Sequence, residues 1–184
     1  GDSPMSSILK VDTIQNTGGT TGLTIDSSGR VLTSVRPAFM VGISSQYSHT
    51  SGNVIQYDTT SGTGGFNSGN HFDTSNYKFV VPVDGLYQFH ASLMIGPTGE
   101  YSRSVNVRLN INNSQLDARY GARTNMDGDR TGGSSYMGLR GLWLVNLTAA
   151  QEITWKASWE TDGTLDASEN LHLHGAYCWG MLVG

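Results

Sequence analysis

The chain has one cysteine, Cys178, in 184 residues. No intramolecular disulfide can form, so stability rests on packing, hydrogen bonds and association. Charged residues are only 14% of the chain, the 11 lysines and arginines form no cluster, and the formal charge is -4. That balance argues against a nucleic-acid partner. No run of about 18 apolar residues is present, so a membrane-spanning helix is excluded. Strong helix formers are scarce, whereas Gly, Ser, Thr and Asn together supply 75 of 184 residues. Strands joined by turns are the expectation. Enzyme signatures are missing too: there is no Gly-x-Ser-x-Gly, no phosphate loop and no His-Glu-x-x-His. The acid pairs Asp127/Asp129 and Asp162/Asp166 read as solvated turn formers rather than a glycosidase couple. A protein that is not an enzyme is expected.

What is present falls into three stretches. Residues 1–4 precede Met5 and read as a cloning remnant. Ser6-Ser7-Ile8-Leu9-Lys10 lacks the apolar core of a secretory signal, so folding in a reducing cytosol is expected. Residues 5–35 hold short strand-like pieces at Val11–Gln15, Gly22–Asp26 and Gly29–Leu32, separated by Asn16-Thr17-Gly18-Gly19 and Ser27-Ser28-Gly29. With no Phe or Trp, this segment is too small to bury a core alone. It is expected to act as a stalk or trimerisation segment stabilised by copies of itself.

From residue 36 to 184 aromatics are denser and period-2 runs longer. Strands are expected over 38–45, 54–57, 78–81, 85–95, 103–112, 137–147, 152–159 and 171–183, which points to a β-sandwich or jelly roll. In 103–112, Val105, Val107, Leu109 and Ile111 alternate with polar residues, the pattern of a sheet with one wet face. In 139–147 both parities are apolar: Trp143, Val145 and Leu147 on one, Leu142 and Leu144 on the other. Strict alternation in the last strand puts Leu171, Leu173, Tyr177, Trp179, Met181 and Val183 on one face. The opposite face then carries His172, His174, Ala176, Cys178, Gly180 and Leu182, and this face of mostly small residues is expected to form an oligomer contact.

Asn67, Phe72, Phe79, Gly85, Tyr87 and Phe89 have the spacing of a known signature: Asn, an aromatic after four residues, Phe after six more, then Gly-x-Tyr-x-Phe after five more. With Asn53–Asp58 upstream and Trp179-Gly180-Met181-Leu182 at the end, residues 36–184 resemble the globular head of the complement C1q family. The family's outermost aromatic positions fall on Ser61 and Ala91, with Tyr57 upstream. The resemblance implies a ten-stranded jelly roll of the C1q and tumour-necrosis-factor type, a homotrimer standing on a stalk. Some relatives hold calcium, but no motif here carries their ligands over residue by residue, so the metal residues stay unknown and no cofactor is assigned. The leader, Ser7–Gly19 followed by Gly22–Val31, resembles the start of tail-fibre and structural proteins of marine tailed bacteriophages. This second resemblance implies a virion appendage made in bacterial cytosol.

The two together imply a trimeric tail-fibre tip or adhesion module gripping a host cell-surface glycan or protein and joined to other virion fibre proteins. The alternatives are a purely structural trimerisation head and a bacterial extracellular binding protein. Leu142, Leu144, His90, His172, His174 and Ala176 are expected at the trimer interface. Arg119, Tyr120, Arg123 and Arg130, with planar forked donors and an aromatic platform in one loop, are the expected receptor contacts. Asn112-Asn113-Ser114 and Asn146-Leu147-Thr148 match glycosylation acceptors but are better read as turn chemistry.

Overall fold

The computed structural model describes residues 9–32, 36–62, 64–96, 103–115, 122–126, 137–161, 164–165 and 170–184. It divides into two units, residues 1–36 and 37–184, and the described residues form strands and turns without a helix.

The first unit is an antiparallel meander of β1 (Thr13–Gln15), β2 (Thr21–Ile25) and β3 (Val31–Leu32). Its two turns are copies of each other ten residues apart. In each, an Asx side chain accepts two backbone N–H groups: Asn16 Oδ1 from Gly18 at 3.0 Å and Thr20 at 2.9 Å, and Asp26 Oδ1 from Ser28 and Arg30, both at 2.9 Å. The fourth residue of each turn has φ in the left-handed region, Gly19 at 81° and Gly29 at 76°, where a Cβ would be strained. Arg30 also donates to Asp26 Oδ2 at 2.7 Å, and its backbone and side chain together hold that carboxyl below the usual range.

The second unit is a sandwich of two antiparallel sheets. The strands are β4 (Ala38–Gly42), β5 (Tyr47–Thr50), β6 (Phe66–Ser68), β7 (Phe72–Asp73), β8 (Lys78–Val80), β9 (Gly85–Gly96), β10 (Arg103–Ile111), β11 (Ser114–Gln115), β12 (Ala122–Met126), β13 (Met137–Leu147), β14 (Glu152–Thr161), β15 (Thr164–Leu165) and β16 (Asn170–Leu182). One sheet runs β13-β9-β16-β4-β6, with β5 also on β16. The other runs β11-β10-β14-β8-β7, with β12 on β10 and β15 on β14. Alternation aims one side of every long strand between the sheets, where Val105, Val107, Leu109, Ile153, Trp155, Trp159, Phe39, Tyr87, Phe89 and Leu93 are at most 1% exposed. Trp155 meets Phe39, Tyr57, Phe72 and Phe89 at centroid distances of 5.7–6.4 Å. Each ring at this density is worth more than its buried area alone.

The aromatic signature is structural. Asn67 donates to the Phe72 carbonyl at 2.8 Å and accepts the Phe72 N–H at 3.1 Å, so its amide closes the turn that delivers Phe72 to the core opposite Phe79. Gly85 lies where a Cβ would fall 2.6 Å from Leu182 Cδ1. Tyr87 is buried to its hydroxyl, which donates to the Val83 carbonyl at 2.8 Å. The Asn112-Asn113 pair is a two-residue hairpin turn with both φ positive, 50° and 64°, joining β10 to β11.

Two expectations are corrected. A bulge between Leu173 and Gly175 adds one residue to β16 relative to β9, and the strand's parity flips there. Leu173 faces the core, and beyond the bulge so do Ala176, Cys178 and Gly180, while Tyr177, Trp179 and Met181 face outward. The small-residue face is therefore the inner face, with Ala176 only 8% exposed. The reason is volume: Phe39 and Phe89 already fill the space under β16, and a Cβ on Gly180 would overlap Phe89 and lie 2.7 Å from Phe39 Cε1. The second correction concerns the wet face of β10, where Asn106 and Asn110 are buried beside their cross-strand partners Ser158 and Thr154.

Gly180→Ala is thus expected to overpack the core and cost about 1–3 kcal/mol. Denaturant melts of the variant against the parent check this, and an unchanged midpoint would show that the core has slack.

Candidate self-association and binding face

The face that the bulge exposes is the outer side of the β13-β9-β16-β4-β6 sheet. At the β13 edge, Leu142 and Leu144 alternate with the inward-facing Trp143 and Val145 and stand 62% exposed. Toward the other edge, Met40 of β4, Phe66 of β6 and Tyr177, Trp179 and Met181 of β16 surround a shallow cavity of about 320 Å³ floored by Phe39 and Gly180. Between the two edges lies β9, whose outward residues include His90 and the exposed Met94. An apolar face of this breadth is uncommon on a protein that stays a single chain. Each leucine taken fully out of water would contribute about 1.5–3 kcal/mol.

His90 holds the middle of this face. Its ring stacks between Tyr177 and Trp179, with both centroid distances 5.5 Å, and its Nδ1 is buried with no hydrogen-bond partner. Burial, helped by the nearby Arg140 guanidinium, holds the imidazole below its ordinary value of 6.5. A second histidine, His49 of β5, is buried edge-on to Trp159, with its Nδ1 3.2 Å from the Tyr47 hydroxyl. Burial lowers its pKa too, opposed by the backbone of Ala157 and Asn53.

The expected site residues are distributed as follows. Leu142, Leu144 and His90 share the outer face, and Ala176 lies inside the sandwich. In backbone register His172 pairs with Ser48 and Gly96, while His174 falls at the bulge; the side chains of both lie outside the described residues. Arg119, Tyr120 and Arg130 lie outside them altogether, and Arg123 is placed only by its backbone, opposite Asn106 on β10. Among the described residues no three His, Cys, Asp or Glu side chains gather to hold a metal ion. No helix of the described residues is long and apolar enough to cross a membrane. Strict alternation passed over Tyr177, Trp179, Met181, Met40 and Phe66. The signal that places three of them was the crowding of large residues against glycine in Tyr177-Cys178-Trp179-Gly180-Met181, which a rigid period-2 reading assigns to the wrong side.

The sequence matches the profile of the C1q domain over residues 38–148, more than half of the chain. The chain belongs to the C1q domain family. Its structure is similar to the globular domain of the zebrafish complement 1qA protein, with a TM-score of 0.56 at 14% identity, covering 80% of this chain and 98% of that one. At that identity the likeness is one of fold. No curated protein matches the chain. C1q domains are binding and self-association domains that commonly assemble in threes, and an exposed apolar sheet face suits that habit.

Both depressed histidines bear on stability. In the unfolded chain each imidazole titrates near 6.5 and in the folded C1q domain lower, so below that value the unfolded state binds more protons. Their stabilising contribution is complete above about pH 6.5 and is lost as pH falls through the folded values. The melting temperature is expected to hold between about pH 8 and 7 and to fall toward about pH 5, with a shallower fall in His90→Gln. A curve flat to about pH 5 would contradict this.

Proposed function

We propose that the chain is the tip of a virion tail fibre, in which three C1q heads pack through the outer β13-β9-β16-β4-β6 face and grip a host cell-surface glycan multivalently. The observation that carries the reading is the placement of protruding Leu142 and Leu144 at one edge of that face and the aromatic groove at the other. A ridge and a groove on opposite sides of one face complement each other between copies head to tail, a heterologous contact that builds a ring where its rotation closes rather than a two-fold pair. The family's habit of assembling in threes supports a ring of three chains. The leader's likeness to phage fibre proteins supports the virion setting, assembly in a bacterial host and connection to other fibre proteins.

Three rigidly held copies make weak recognition effective. Once one head is engaged, the others search a small volume, and overall avidity rises by roughly 10²–10⁴ with no new contact. The receptor contacts in this reading are Arg119, Tyr120, Arg123 and Arg130, forked donors and a ring suited to acidic or hydroxyl-rich sugars.

Fluorescently labelled protein titrated onto a panel of marine bacteria tests the reading. Saturable binding to some strains is expected, weaker in Leu142→Glu/Leu144→Glu because the heads are no longer held rigidly together. Binding that survives replacement of all four residues, with the assembly intact, would remove them from the receptor contact. An assembled protein that binds no cell would leave the head as a clasp for three chains.

A further inference from the structure

The register of the first unit sorts its side chains into two unlike faces. Ile14 stands opposite Leu23 and Ile25 opposite Val31, and because Leu23 and Ile25 are two apart on β2 all four side chains share one face. Thr13, Thr24 and Leu32 line the other. An amphipathic sheet of this kind calls for a second layer, and the unit does not supply one: none of residues 9–32 is buried, with Ile14 47% and Val31 61% exposed. The segment nonetheless invests in geometry, since two matched Asx turns with left-handed glycines set the register that keeps the four aliphatic residues together.

We propose that this apolar face is covered by the same face of other copies, which makes the leader a second self-association module, built independently of the head. Charge favours a like partner. Residues 9–32 carry two cations, Lys10 and Arg30, and two acids, Asp12 and Asp26, for no net charge. Arg30 and Asp26 neutralise each other within one turn at 2.7 Å. Identical copies therefore approach without repulsion, whereas a face free of aromatic and charged side chains offers little to select a foreign partner. The expected number of copies, three, rests on the head reading above: heads packed in threes hold their leaders at high effective concentration.

Sedimentation of four full-length chains tests this. In the parent both modules act. Leu142→Glu/Leu144→Glu, with the head contact broken, is expected to remain associated at tens of micromolar through its leaders, with a dissociation midpoint raised roughly tenfold or more. Adding Ile14→Asp/Ile25→Asp should give single chains. Adding Thr24→Lys instead, on the opposite face, should leave association as in the head variant. Single chains already in the head variant would overturn the proposal. So would aspartates that lower only the melting temperature, which would mean that the chain's own head covers the leader. Equal loss from Thr24→Lys would overturn the choice of face. A failure of the head reading looks different, because Leu142→Glu/Leu144→Glu would then sediment like the parent.

Discussion

Trp155 meets Phe39, Tyr57, Phe72 and Phe89, and the volume these five rings take between the two sheets decides what β16 presents on each side. Under that pressure the inner positions of β16 shrink to Ala176, Cys178 and Gly180, with no room even for a methyl group at the last. The large residues between them, Tyr177, Trp179 and Met181, are thereby committed to the outside. The bulge after Leu173 reconciles this demand with a leucine that belongs in the core. An apolar outer face is thus the counterpart of an aromatic core, and a surface that calls for a partner follows from how the single domain packs.

The same logic sets the place of His90. On β9 it stands opposite Trp179, and two aromatic rings close over it, so that its charged form becomes costly. The histidine therefore links the packing of the face to pH. At the β13 edge, Trp143 and Val145 turn inward while Leu142 and Leu144 stay outside. The strand is thus apolar on both sides, one packed in the core and the other exposed.

Much of this was legible in the sequence because it depends on local spacing. The interval between Asn67 and Phe72 encodes a side chain closing its own turn, and the alternation of Val105, Val107 and Leu109 encodes one buried face. The double-sided character of β13 was equally plain. What stayed hidden depends on distant parts of the chain. One extra residue in β16 reverses a face, and nothing near Gly175 announces it, since the cause is the bulk of Phe39 and Phe89 arriving from other strands. Short strands such as β6 and β7 were missed because they are too brief for a period to register, although β6 brings Phe66 to the groove. The burial of Asn106 and Asn110 also needs neighbours that period-2 reasoning does not see.

Tryptophan quenching tests the central claim most directly, because Trp143, Trp155 and Trp159 are buried within the single domain and Trp179 alone of the 4 tryptophans lies on the outer face. Acrylamide quenching of the parent at micromolar concentration should find all four shielded. Dilution below the dissociation point, or Leu142→Glu/Leu144→Glu in the head, should release one readily quenched fraction that Trp179→Phe removes. A quenchable Trp179 at every concentration, unchanged by the leucine variants, would mean that no second copy covers this face.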